Sequence, residues 1–405
     1  KAYKLRIYPD SEQEQKLNQT FGCVRVLWNC LVENFNAYGT DSYINKLSEK
    51  EIKSREELWF LKDASAASLQ QKQRDFIEFQ NQYFNKNRKT KLGRPSFKKR
   101  SNRQSYRLPN QKFKVNQEDG YIQLEKIGKV KLHDDKRKID TTDLRSVTVS
   151  KTPTGEFYVS ILVRTEVDQL PPTGRKLGID LGLSDLMILS SGVKVNNPRW
   201  FRESQSKLAR AQQHLSRKKK GSNRYEKQRL RVARIHREIT NQRSYFLHNL
   251  SKSIVREFDV ICVEDLNVSG MLRNRNLSKA ISEASWASFV SMLEYKSEWY
   301  GREIVKVDRF YPSSQICSSC HVKDGKKELH VREWECSSCG AELDRDFNAS
   351  LNILFEGVSK LTGLAVNETS AELVDYKRGE DVSLFDDSHH LATSVKRLDK
   401  FIGLS

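Results

Sequence analysis

Apolar and polar residues alternate through Lys1–Tyr8, the period-two pattern of a strand with one buried face. From Ser11, a candidate N-cap, to Asn36 the period becomes helical, with Leu17, Phe21, Val24, Trp28 and Leu31 on one side. Helical character resumes from Glu51 to Phe84, where Phe76, Phe79 and Tyr83 form an aromatic stripe read as core rather than as a base-stacking platform. Residues 105–168 break into short alternating segments: SYRLP, KFKVNQ, YIQLEK, KVKLH, RSVTVSKT and EFYVSILVRTEV. Turns at Glu118-Asp119-Gly120 and Pro153-Thr154-Gly155 punctuate them. The pattern predicts a small β-barrel or curled sheet formed with the opening strand, with the helices of 11–84 inserted between. Gln169–Gly174 reads as a linker. Beyond it strands and helices alternate as in an α/β domain, so the fold class is multidomain, α+β followed by α/β.

Charge sharpens this division. The 405 residues carry 71 Lys+Arg against 52 Asp+Glu, a net +19, which makes a polyanion the first partner to consider. The excess is uneven: residues 366–405 hold eight acids and five bases and read as a weakly structured tail, His389-His390 included. Lys86–Arg107 contains no acid; Gly93 and Pro95 forbid a continuous helix there, and Phe97 and Tyr106 offer flat faces among the cations. Arg202–Arg243 has fourteen Lys/Arg and three Glu, with Leu208, Ala211, Leu215, Leu230, Ala233 and Ile239 near helical spacing. Gly221 splits it into two helices joined by a basic turn. A solvated charged face is the alternative for either run, but two runs in so basic a chain favour phosphate binding. No run of about 18 apolar residues occurs, so neither a membrane span nor a membrane partner is expected, and a cytoplasmic protein is.

Three acids stand out because burying an uncompensated carboxylate is costly. Asp180 ends an apolar strand in KLGIDLG; Glu264, with Asp265 beside it, ends another in FDVICVEDL; Asp344 and Asp346 precede a helix in LDRDFNASLNIL. Glu264 shares a strand face with Cys262 and Asp265 with Val263, and periodicity does not choose between the faces. Gathered at one sheet edge, such carboxylates would bind Mg²⁺ or Mn²⁺, and two ions about 4 Å apart would activate water against a phosphodiester. The alternative for each acid alone is a helix cap or a surface ion pair, which is the preferred reading for Asp344.

Cys317-x-x-Cys320 and Cys336-x-x-Cys339, separated by 15 residues, have the spacing of a closed, structural Cys₄ zinc site. Cys23, Cys30 and Cys262 lie in apolar patterns and read as core thiols. Arg332, in the ribbon between the second and third acids, reads as a surface arginine or as a phosphate contact beside the reaction centre.

GIDLGLSDL, VEDL, YPSSQICSSC, WECSSCG and DRDFNASLNI together resemble the split RuvC motifs and zinc ribbon of the TnpB family, the transposon-encoded RNA-guided DNA endonucleases ancestral to type V CRISPR effectors. KAYKLRIYP, GRPSFKKR and LSRKKKGSNRYEK extend the likeness to nearly the whole chain except the tail. The third cysteine lacks the proline usual after it in the family. The resemblance implies a β-barrel wedge domain (1–10 and 95–172) with an inserted helical recognition domain (11–94). It implies an RNase H-like RuvC domain (173–309 and 341–365) with an inserted zinc ribbon (310–340), ahead of the tail (366–405). It implies a triad of Asp180, Glu264 and Asp346 holding two Mg²⁺ ions (or Mn²⁺), and Zn²⁺ on the four cysteines. The implied partners of this single chain are a guide RNA and double-stranded target DNA, recognised beside a short adjacent motif. The implied nucleic-acid contacts are Arg94, Lys98, Lys99, Arg100, Arg217, Lys218, Lys219 and Lys220, with Gln70 near the motif-reading stretch. The alternatives are a non-catalytic RNA-guided regulator and a DNA transposase; the latter would need its acids ordered Asp, Asp, Glu.

Overall fold

The computed structural model describes residues 1–38, 48–88, 91–101, 103–134, 138–328 and 330–370. The tail beyond residue 370, His389-His390 included, lies outside them. The chain divides into two compact units, Lys1–Glu166 and Val167–Ser405.

In the first unit β1 (Ala2–Tyr8) leads into α1 (Ser11–Tyr38), α2 (Glu49–Ser54) and α3 (Ala66–Phe84). Six further strands follow: β2 (Gln104–Pro109), β3 (Phe113–Asn116), β4 (Tyr121–Leu124), β5 (Gly128–Leu132), β6 (Leu144–Lys151) and β7 (Phe157–Val163). The seven strands form one antiparallel, curled half-barrel in the order β2-β6-β7-β1-β5-β4-β3. The first strand is therefore central, paired Leu5↔Val159 on one side and Ile7↔Leu132 on the other. Alternate residues Phe157, Val159, Ile161 and Val163 point into a core shared with Leu17, Phe21, Val24 and Leu31 of α1. The cap of α1 is Asp10 rather than Ser11: Gln13 N–H donates to Asp10 Oδ1 (2.9 Å) and Asp10 N–H to Gln13 Oε1 (3.2 Å). This reciprocal capping box sits one residue upstream of the expected cap. Phe76 is buried edge-on to Trp28 and Phe35.

The second unit contains β8 (Lys176–Asp180), β9 (Asp185–Leu189), β10 (Lys194–Asn196), α4 (Trp200–Ser216), α5 (Asn223–Glu257) and β11 (Val260–Glu264). It continues with α6 (Val268–Met271), α7 (Ser278–Ala284), α8 (Trp286–Tyr300), β12 (Glu303–Val307), the short pair β13 (Glu333–Glu335) and β14 (Glu342–Asp344), and α9 (Arg345–Thr362). The main sheet runs β10-β9-β8-β11-β12, with β8, β11 and β12 parallel and β9 and β10 antiparallel. On one face Leu177, Ile179, Ile261 and Val263 pack with α5 and α8. On the other, Cys262, Val305 and Val307 meet Ile353, Leu354 and Val358 of α9. Gly221 (φ +85°) breaks the basic helical run as expected. The 169–174 segment is fastened rather than free. The Asp259 carboxylate accepts from Thr173 and Gly174 N–H and from Arg302 (2.6 Å), which also donates to the Pro171 carbonyl.

Candidate active site

Parity along the strands decides which face the acids occupy. Gly178 and Asp180 on β8, Cys262 and Glu264 on β11, and Val305 and Val307 on β12 all face α9. Of the two possibilities on β11, Glu264 is thus the acid on the α9 side. The β8–β11 register pairs Ile179 with Val263, and one step further Asp180 comes level with Glu264, in strands about 4.8 Å apart. Helix α9 crosses β8 at a glycine: a methyl on Gly178 would lie 2.1 Å from the Ser350 carbonyl and 2.8 Å from Leu354 Cβ. Asp346, one turn before Ser350, is thereby carried over the strand end. A second close approach sits at Gly357, where an added Cβ would lie 2.3 Å from Cys262 Sγ.

Burial, with Glu264 and Asp346 as like-charged neighbours, pushes the Asp180 carboxyl from 3.8 up to about 8; the Arg345 guanidinium opposes this. Burial raises Glu264 too, although Ser313 Oγ donates to its Oε1 at 2.9 Å. Asp346 Oδ2 accepts from Arg332 Nη1 at 2.8 Å, and Arg332 Nη2 reaches Ser184 Oγ at 3.4 Å. Arg332 is thus an exposed arginine, as one of its two readings had it, and its guanidinium is paired with the third acid. Asp344 is a cap, as expected of it: its Oδ1 accepts the Asp346 and Phe347 N–H groups and its Oδ2 pairs with Lys194. Asp265 lies apart from the three, paired with Arg309 at 2.7 Å.

Among the described residues, the four cysteines form the one group of His, Cys, Asp and Glu whose ligand atoms all lie within 4.8 Å of one another. The three carboxylates are looser neighbours. Cys317–Cys339 and Cys320–Cys336 Sγ distances are both 3.7 Å. A tetrahedron of thiolates with about 2.3 Å bonds to a central zinc has edges of about 3.8 Å, whereas a disulfide needs about 2.05 Å. The four sulfurs thus fit a zinc ion. The two knuckles share one backbone design: His321 N–H donates to Cys317 O and Gly340 N–H to Cys336 O, and both donors have positive φ (+60° and +69°).

The ribbon is tied to the acids by two asparagines that the sequence pattern did not single out. Asn348 Nδ2 donates to Ile316 O and its Oδ1 accepts from Ser318 N–H, while Asn352 Nδ2 donates to Ser313 O and Ile316 O. Both are buried and lie on the helix that begins with Asp346.

The expected nucleic-acid contacts divide. Arg94, Arg100 and Arg217–Lys220 are exposed, the last four at the tip between α4 and α5, and Gln70 is exposed on α3. Lys99 is also exposed. Lys98 instead turns inward, 3.7 Å over the Trp28 ring, and burial helped by Lys72 lowers it to about 8. Its backbone is clasped by Asn29, and Trp28 Nε1 donates to Ser96 O. Phe97 is 53% exposed, but Tyr106 is core at 2% because it faces inward from β2. No helix among the described residues is long and apolar enough to cross a membrane.

A half-barrel unit followed by an α/β unit with a four-cysteine cluster defines a class of chain built like Cas12f1. The structure aligns with Cas12f1 from a cryo-EM complex with sgRNA and target DNA at TM-score 0.51 and 13% identity, covering 87% of this chain and 98% of that one, a likeness of fold. The OrfB_IS605 family model, described as a probable transposase, matches residues 160–275, and a Cas12f1-like TNB domain matches 286–353. A helix-turn-helix model matches 1–40, of which the described residues 1–38 form β1 and one unbroken helix. A Streptomyces pristinaespiralis protein provisionally named an RNA-guided DNA endonuclease is 39% identical over 366 residues, covering 89% of this chain and 90% of its own. InsQ of Escherichia coli K12, which bears the same provisional name, is 30% identical over 378 residues, covering 88% and 92%. The chain belongs to the TnpB family.

Proposed function

We propose that this protein is a Mg²⁺-dependent, RNA-guided DNA endonuclease that cuts double-stranded DNA beside a short adjacent motif, using a transposon-derived guide. The observation that carries the reading is that Asp180 and Glu264 end adjacent parallel strands on the face covered by α9, whose first turn holds Asp346; burial and these two acids push the Asp180 carboxyl up to about 8. Hard divalent cations suit the all-oxygen donor set of such a cluster. Asp180, Glu264 and Asp346 together would hold two such ions. When bound, such ions lower the pKa of a water and neutralise the leaving oxygen of a phosphodiester. Ser313 fixes the rotamer of Glu264, and Arg332 is placed to leave Asp346 for a phosphate oxygen.

Residues 173–309 and 341–365 act in this reading as an RNase H-like RuvC domain. The sheet order supports it: counted along the chain, its strands run 3-2-1-4-5, with the fourth and fifth parallel to the first. Residues 310–340 act as its zinc ribbon. Residues 1–10 and 95–172 serve as the wedge and 11–94 as the recognition domain. The exposed cations of 94–100 and 217–220 contact guide or heteroduplex backbone, with shape rather than base identity recognised along the pairing.

The test is cleavage of a plasmid target by the guide-loaded protein in Mg²⁺. Wild type is expected to cut both strands. Asp180→Ala should lose about a thousandfold or more in rate while guide and target binding stay within twofold, as expected when only metal-assisted chemistry is removed. A variant that still cuts overturns the site. Guide-dependent binding by wild type without cutting would establish a regulator, and strand-joined products a transposase.

A further inference from the structure

Phe310 is 86% exposed, the most exposed large apolar side chain among the described residues. Its position explains why that exposure is not incidental. It lies three residues past β12, at the end of the sheet where β8 and β11 deliver Asp180 and Glu264. The turn is braced on both sides. Before Phe310, Arg309 is ion-paired to Asp265 (2.7 Å), and after it Ser313 donates to Glu264 (2.9 Å). Inside the turn Asp308 Oδ1 accepts the Phe310 N–H (2.8 Å), Tyr311 N–H donates to Asp308 O (3.0 Å), and the Tyr311 ring packs on the core with Val307. A free ring on a floppy loop would be an accident of the surface; this ring is held out by anchors to Glu264, which ends β11, and to Asp265 just past it.

We infer that Phe310 is a stacking platform for a nucleobase of an unpaired DNA strand, next to the phosphate that lies over Asp180, Glu264 and Asp346. This rests on the nuclease reading and adds its substrate form. A phosphodiester seated on the acids places its flanking bases at the rim, and an aromatic face takes any base once it is unstacked from a partner strand. Beside Glu264 and Asp265 the edge also opens, on the α8 side, into a cleft of about 300 Å³ whose further lining includes Leu181, Asn267, Trp286 and the ion-paired Glu294 and Lys306. A paired base would already be stacked on both faces, so the platform favours single-stranded substrate.

The full-length, guide-loaded protein is bound in Ca²⁺ to targets carrying 2-aminopurine at successive positions around the cut. Wild type should quench one position beside the scissile phosphate. Phe310→Ala should abolish that quench and slow single-turnover cleavage in Mg²⁺ about tenfold, and Phe310→Tyr should restore both. Guide affinity should not change. Equal quenching by wild type and Phe310→Ala at every position, with cleavage within twofold, overturns the inference. So does a loss of self-association in Phe310→Ala with quenching intact, which would assign the ring to a second copy. Failure of wild type to cut at all would strike the nuclease reading, and the fluorescence would still decide the stacking.

Discussion

At Gly178 a methyl group has nowhere to go. The Ser350 carbonyl would sit 2.1 Å from it, and that atom is helix backbone, which cannot rotate away. Gly178→Ala must therefore push α9 off β8, with an expected cost of roughly 1–3 kcal/mol or more. Because α9 carries Asp346, cleavage should fall further than the melting temperature alone would explain; equal activity and stability to wild type would show that the helix has slack. Lys296 makes a different prediction. It is buried, donates to His248 O (2.7 Å) and Ser251 Oγ (2.6 Å), and burial with Lys252 nearby lowers it to about 8. An unfolded lysine titrates near about 10.4, so through the interval above pH 8 the unfolded chain keeps a proton the folded one has released. Stability from this group must then rise with pH across that interval. The melting temperature of wild type minus that of Lys296→Met should grow more positive from neutral pH to about 10, and a flat or falling difference would refute the shift.

Elements were legible in the sequence where a single period ruled them. The six strands of 105–168 and the helix break at Gly221 follow from alternation and from one glycine. What periodicity left open was resolved by partners distant in the chain. Glu264 rather than Asp265 faces the other acids because α9, eighty residues later, covers that face. The 169–174 segment looked like a free linker because its fastener, the Asp259–Arg302 pair, lies far beyond it. Asn348 and Asn352 pass for ordinary polar positions of an amphipathic helix, yet both are buried and hold the first cysteine knuckle. Asn352→Leu leaves the Ser313 carbonyl without its donor, which should cost about 1–3 kcal/mol. The same change frees the backbone that positions Ser313 against Glu264. Zinc release to a chromogenic chelator should accelerate and cleavage should slow together; normal zinc retention with slow cleavage would separate the two roles.

For the whole molecule, charge and family agree on nucleic acid without saying which contacts carry it. Residues 1–365 carry 66 Lys+Arg against 44 Asp+Glu, a net +22 that the acidic tail lowers to +19, so local density matters more than the total. The densest exposed group is Arg217-Lys218-Lys219-Lys220, held at a helix–helix tip with Gly221 closing the turn. By contrast Lys98, equally basic in sequence, is spent on the Trp28 ring. A cation on a phosphate releases counterions, and each such contact steepens the salt dependence of binding by about 0.7–0.9 in log–log slope. Replacing the four tip residues by alanine should flatten the slope for guide RNA by about 3 and weaken binding most at low salt. Lys98→Ala should instead leave the slope unchanged and lower the melting temperature of the first unit. If the tip variant keeps the wild-type slope, those four cations are a solvated face, and the phosphate contacts must be sought along 94–100.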